Sequence, residues 1–168
     1  MGRGKTFRVF ISHSWRYGEH YSRLLRLLND CDPNVRFLDY SVPEDDPIHD
    51  AGTVRDLCEA IKRQMTPSQV VLILGGVYST YSRWINKEIV LAKCKFERPK
   101  PVLLIRPRGS AKLSCPVQCA ADDVVGWDCR AIIERIRRLI ESETLKDCED
   151  VRECMGKKCN MRMEICPI

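Results

Sequence analysis

The sequence predicts an α/β domain: a five-stranded parallel sheet with helices on both faces. Three observations carry this. Short apolar runs rich in β-formers alternate along the chain with longer segments of helical period. The run Val70 to Leu74 is apolar throughout, as expected of a strand covered on both sides. Prolines and polar breaks separate the runs at spacings that suit crossover connections.

The elements follow in order. Phe7 to Ile11 is a first strand, and Ser12-His13-Ser14-Trp15 is the polar break after it. Tyr21, Leu24, Leu25 and Leu28 recur at helical spacing and give a helix ending near Asn29-Asp30. Val35 to Leu38 is the second strand. Asp39 to Gly52, with Pro43, Pro47 and several acids, is a loop. Thr53, with Asp56 three residues later, caps a helix whose inner face is Val54, Leu57, Cys58, Ile61 and Met65. Val70 to Leu74 is the third strand. Ser82 is placed to cap the next helix, with Ile85, Ile89, Ala92 and Phe96 as its buried stripe. Pro99 and Pro101 end it and introduce a fourth strand, Val102 to Ile105. Pro107 to Ala121 shows no clear period and reads as loop with one short turn. Val124-Val125 with Trp127 forms a short fifth strand, and Asp128 caps a final helix marked by Ile132, Ile133, Ile136, Leu139 and Ile140. Such a chain fits the flavodoxin-like strand order 2-1-3-4-5, in which ligands bind beyond the carboxyl ends of the strands.

The totals set bounds. A length of 168 residues suits one domain with a substantial core, and the balance of 44% hydrophobic to 30% charged residues is that of a soluble globular protein. No segment approaches the roughly 20 apolar residues of a membrane span, and the N-terminus lacks a signal-peptide apolar region, so a cytoplasmic location is expected. The net charge of +5 owes part to Arg130, Arg135, Arg137 and Arg138 on the outer face of the last helix. That is a solvated face rather than a nucleic-acid patch, which would want interleaved aromatics.

The most informative stretch is Tyr78 to Ala92. Trp84 and Glu88 are four apart and share one face of a helix. An aromatic ring beside a single carboxylate suits chemistry at a sugar–base bond. A glutamate on a helix is ordinarily solvated. Here it lies at the edge of the buried stripe, after a loop rich in hydroxyls (Tyr78, Ser79, Thr80, Tyr81, Ser82) where a helix N-terminus favours an anion. Gly75-Gly76 is no dinucleotide fingerprint, because no Gly-x-Gly-x-x-Gly follows the first strand.

The pattern Ser82-Arg-Trp84-Ile-Asn-Lys-Glu88 resembles the Ser-x-Trp-x-x-x-Glu signature of TIR domains. Val9-Phe10-Ile11-Ser12-His13-Ser14 resembles their first box. Leu38-Asp39-Tyr40-Ser41-Val42-Pro43-Glu44 and Leu74 to Trp84 look like the TIR-like family of the Thoeris antiphage defence system, the ThsB proteins; the likeness runs over about residues 6 to 140. The resemblance implies a flavodoxin-like TIR fold and an enzyme that consumes NAD by breaking its nicotinamide–ribose bond. It also implies release of a signal nucleotide, such as a cyclic ADP-ribose isomer, that switches on a nucleotide-sensing effector. The family's catalytic glutamate maps onto Glu88, its aromatic onto Trp84, and its first-box residues onto Ser12 and His13. NAD is then a substrate, no cofactor is assigned, and self-association through TIR domains is expected on activation, with neither nucleic acid nor membrane as a partner.

Tyr40 and Ser41 end the second strand within reach of a ligand, and Ser82 lies beside Trp84, so all three join Ser12, His13 and Trp84 as expected substrate-binding residues. His13 is best read as a strand-end residue that orients the first loop; His20 and His49 read as surface residues. Glu88 acts ionised in this chemistry, so no strongly raised pKa is expected in its productive state. Two rivals remain: a TIR assembly module without turnover, and an enzyme resembling nucleoside deoxyribosyltransferases.

No metal ligand set is assigned. Glu44-Asp45-Asp46 reads as a solvated loop. The ten cysteines are expected as reduced thiols, with Cys58 and Cys94 buried in helices. The TIR-like domain is expected over 1–143, and 144–168 forms a cysteine-rich tail of little apolar content. Its spacing, Cys148-x5-Cys154-x4-Cys159-x6-Cys166, is wider than the tight pairs of strong zinc sites, and unpaired or weakly ordered thiols are the simpler reading.

Overall fold

The structure is a computed structural model, and it describes residues 4–12, 18–42, 52–75, 83–109 and 113–168. Among these, strands and helices alternate as β1 (Lys5–Ser12), α1 (Gly18–Asn29), β2 (Val35–Asp39), α2 (Val54–Met65), β3 (Val70–Leu74), α3 (Arg83–Cys94), β4 (Val102–Ile105), α4 (Cys115–Ala120), β5 (Asp123–Val125), α5 (Cys129–Glu141) and α6 (Cys148–Cys159). The sheet is parallel in the order β2-β1-β3-β4-β5. The expected fold class is therefore the observed one.

The sheet's two faces explain the strand sequences. Side chains alternate across a strand, so Val70 and Leu72 join the core layer under α1 and α5, whereas Val71 and Ile73 join the layer under α2, α3, α4 and α6. Leu103 and Ile105 divide from Val102 and Leu104 in the same way. Burial on both faces is why these strands are continuously apolar.

Two of the expected helix caps are in place. The Thr53 hydroxyl accepts from the Asp56 backbone N–H at 3.1 Å, and the Asp128 carboxylate accepts from that of Ala131 at 2.8 Å. The cap expected at Ser82 lies outside the described residues.

Three expectations are corrected. The stretch from Pro107 to Ala121, read as loop with one short turn, contains the helix α4, capped by Ser114. Six residues make less than two turns, too few for a hydrophobic period to register. The tail is ordered: α6 opens with a capping box between Asp147 and Asp150 and ends on Asn160 in the left-handed conformation, φ 49°. Val151 and Met155, one turn apart, bury its inner face against the core of the domain.

The third correction concerns the cysteines. All ten are paired, as Cys31–Cys129, Cys58–Cys166, Cys94–Cys148, Cys115–Cys159 and Cys119–Cys154. Every cysteine of the tail is bonded to a helix of the layer above it. Sequence separations of 35 to 108 residues put these partners beyond any local pattern.

At the amino end of the sheet a buried polar cluster binds the tail further. Lys93 Nζ lies 2.5 Å from Asp122 Oδ2 and also donates to the Lys146 carbonyl at 3.1 Å. Asp122 accepts from the backbone N–H groups of Val102 and Lys146, each at 2.8 Å. Among the described residues no helix is long and apolar enough to cross a membrane.

Candidate active site

The site forms where β1 ends beside α3, at the carboxyl edge of the sheet. Parallel pairing of β1 with β3 sets Ser12 opposite Ile73, one residue before the end of β3. Helix α3 returns from that edge with Ile85 and Ile89 buried in the core. Those anchors fix its rotation and turn Glu88 inward.

Glu88 is only 2% exposed, and Ser12 is fully buried. The Ser12 hydroxyl donates to one carboxylate oxygen of Glu88. The Trp84 indole N–H donates to the other at 2.7 Å. The four-residue spacing thus does more than set a ring beside an acid, because it makes the tryptophan a hydrogen-bond donor to it. Trp84 is half-buried and packs on the core through its ring.

Burial pushes the Glu88 carboxyl up to about 8, outweighing the two donors, which favour its ionised form. The physical reason is that both described partners are uncharged, so their hydrogen bonds offset only part of the loss of hydration. The ionised form expected of Glu88 concerns its productive state, with substrate beside it.

A second cluster lies next to the first, at the end of β2. The Ser41 hydroxyl accepts from the Ile11 backbone N–H at 2.8 Å and donates to Asp39. Asp39 also accepts from the Ser41 N–H at 2.9 Å and from the Tyr21 hydroxyl. Burial, with Asp39 beside it, raises the Tyr21 pKa. Ser41 is 8% exposed, so its hydroxyl serves to tie the ends of β1 and β2 together. Tyr40 is half-buried, and its backbone N–H completes the β1 pairing on Val9 at 2.9 Å.

Of the residues expected from sequence, Ser12, Trp84 and Glu88 meet directly, and Tyr40 and Ser41 flank them on the neighbouring strand. His13 and Ser82 lie outside the described residues, as does His49; His20 is exposed. Asp39 and Tyr21 were not anticipated. The available signal was an acid at the last position of a strand on the ligand-facing edge.

Gly75, the residue after β3, has a packing reason. A Cβ there would meet Leu113 at 2.6 Å and the Ile105 carbonyl oxygen at 3.2 Å. A larger residue there would need the Leu113 side chain to move and the β4 backbone to give way.

Comparison with known protein families gives a match to the model described as Thoeris protein ThsB, TIR-like domain, over residues 10–112. No curated protein and no solved structure matches. The matched span opens in β1, carries both Ser12 and Glu88, and continues beyond β4. Since it takes in more than half of the 168 residues, the chain belongs to the family of the Thoeris antiphage defence protein ThsB, by virtue of its TIR-like domain.

Proposed function

We propose that this protein acts in antiphage defence as an NAD-consuming enzyme. It breaks the bond between nicotinamide and ribose and releases a signal nucleotide of the cyclic ADP-ribose type for an effector to sense. The observation that carries the reading is Glu88: a buried carboxyl at the ligand-binding edge of the sheet, held by Ser12 and Trp84 and lacking a charged partner among its described contacts.

The chemistry asks for such a group. As the C1′–N bond breaks, its electron pair moves to the nicotinamide nitrogen and the ring departs neutral, so the leaving group needs no general acid. Positive charge passes to the ribose, and the transition state resembles an oxocarbenium ion. A carboxylate fixed beside it stabilises that charge without reorganising. Ser12 and Trp84 are positioning residues that hold both oxygens of Glu88. Tyr40 lines the approach, and Ser41 shapes it from beneath through its bond to β1. The motifs assign His13 and Ser82 to substrate binding as well.

The proton on Glu88 has a defined fate. The nicotinamide ring of NAD is cationic, and an opposite charge nearby favours the ionised carboxyl. Substrate binding therefore expels the proton to solvent and creates the anion where it is used. Water capturing the ribose cation yields ADP-ribose; a nucleophile within the same molecule yields a cyclic product.

The test is incubation of the purified protein with NAD, with and without its defence trigger, and chromatography of nicotinamide and nucleotide products. Wild type is expected to release nicotinamide, and Glu88→Gln is expected to release almost none. Absence of nicotinamide under every activating condition would overturn the reading in favour of an assembly module. Turnover of deoxynucleosides in place of NAD would favour the deoxyribosyltransferase chemistry.

A further inference from the structure

Away from Glu88, two helices bring four cysteines into one cluster. Cys115 and Cys119 lie one turn apart on α4, and Cys159 and Cys154 face them from α6. The sulfurs of Cys115, Cys119 and Cys159 all lie within 4.8 Å of one another, and that of Cys154 is bonded to Cys119. Cys119 Sγ and Cys159 Sγ belong to different disulfides yet are 3.8 Å apart. A tetrahedral zinc with zinc–sulfur bonds of about 2.3 Å holds its ligand sulfurs about 3.8 Å apart, so this contact already has the length of a tetrahedral edge. Among the described residues it is the one place where three or more metal-ligating groups converge.

We propose that Cys115, Cys119, Cys154 and Cys159 form a four-thiolate zinc site in the reduced chain, and that the two disulfides are the oxidised form of the same cluster. The sequence spacing within the tail argued against zinc because it paired the wrong cysteines. The ligands come two from each helix, as Cys115-x3-Cys119 and Cys154-x4-Cys159, and only the packing of α6 on α4 brings them together. Disulfides persist in oxidising compartments, whereas cytosolic cysteines are kept as thiols and clusters of them hold metal. Zinc would then secure α6 to α4 where the disulfides cannot form.

The interconversion balances. Two equivalents of a dithiol reductant give four electrons and four protons to the two S–S bonds, leaving four thiols and two oxidised reductant molecules. Zinc then binds the four thiols as thiolates, displacing their four protons to solvent. Four thiolates around Zn²⁺ leave a net charge of −2. Lys146, Lys157 and Lys158 line one groove together with Cys119, Cys154, Asp150 and Glu153. Lys146 Nζ donates to the carbonyls of Cys119, at 3.1 Å, and Ala121, at 2.7 Å, which keeps one of these cations beside the cluster.

The full chain, purified under a dithiol reductant without chelator, is the material for the test. Elemental analysis is expected to find one zinc per chain, with four thiols protected from a thiol reagent until a chelator removes the metal. Replacement by Co²⁺ is expected to give thiolate-to-cobalt charge transfer and the visible bands of tetrahedral cobalt. Cys119→Ser/Cys154→Ser should lose zinc at least 100-fold in affinity, about 2.7 kcal/mol. Cys94→Ser/Cys148→Ser should retain it. If the first variant fails to fold, the cobalt spectrum of the wild type decides alone. A reduced, folded wild type that binds neither zinc nor cobalt would overturn the proposal. So would cobalt bands lacking sulfur ligation, or all five disulfides intact after isolation from a reducing cytoplasm.

Discussion

Glu88 and Lys93 sit five residues apart on α3, both almost fully excluded from water, and the protein treats them in opposite ways. Lys93, at the amino end of the sheet, faces a carboxylate: Asp122 at 2.5 Å, itself satisfied by two backbone N–H groups. Burial lowers the Lys93 pKa and Asp122 opposes that shift. Glu88, at the carboxyl end, has among the described residues the uncharged donors of Ser12 and Trp84, and its pKa rises to about 8. One helix thus carries a paired charge that fastens the fold and an acid whose described partners are uncharged. A structural ion pair is complete by itself. An acid that is not leaves room for a cation supplied from outside, which is the property the proposed chemistry requires.

The sharpest way to break this contrast is to neutralise each end in turn. Glu88→Gln keeps the shape and removes the charge, and should lower nicotinamide release by roughly 10³-fold, the scale of losing a dominant electrostatic contribution. Single-turnover assays with NAD check it, with circular dichroism confirming the fold. Lys93→Met should do the reverse. Leaving Asp122 buried without its cation should cost about 3–5 kcal/mol in chemical denaturation, with turnover per folded molecule near wild type.

The pH dependence of stability separates the two ends again. The Glu88 pKa is raised on folding, from about 4.5 to about 8. Its contribution is therefore fully present below the unfolded value and is lost as pH rises through the folded one. Between pH 5 and pH 8, wild type should lose roughly 3–4 kcal/mol relative to Glu88→Gln, read from denaturation midpoints across that range. The same ionisation should appear in catalysis as kcat/KM rising with pH through about 8, since that ratio reports the free enzyme. The smallest effect expected is from Trp84→Phe. It removes one donor to the carboxylate and should move that kcat/KM inflection upward by about one pH unit.

Much of the fold was legible because it rests on local rules. Thr53 and Asp128 announced their caps, and Val70 to Leu74 announced a strand buried on both faces. The candidate site was legible in part for a similar reason. The four-residue spacing of Trp84 and Glu88 fixes their adjacency on any helix, and Ser12 ends a strand at the edge where such sheets bind ligands. Asp39 and Tyr21 were not legible, because their contact joins a helix to a strand 18 residues away. Helix α4 was too short to carry a period, and α6 shows only Val151 and Met155 as apolar contacts because cysteines supply much of its remaining attachment.

The sequence by itself determined the order of the five strands and of α1, α2, α3 and α5, the parallel sheet and the helix bearing Glu88, since period, capping and strand burial are written in neighbouring residues. Only the tertiary structure decided which cysteines meet, that the tail joins the core, and that Glu88 is buried against Ser12 and Trp84 with its pKa raised. Those outcomes depend on groups brought together from opposite ends of the chain and on how far water is excluded from them. Neither quantity exists until the layers have packed.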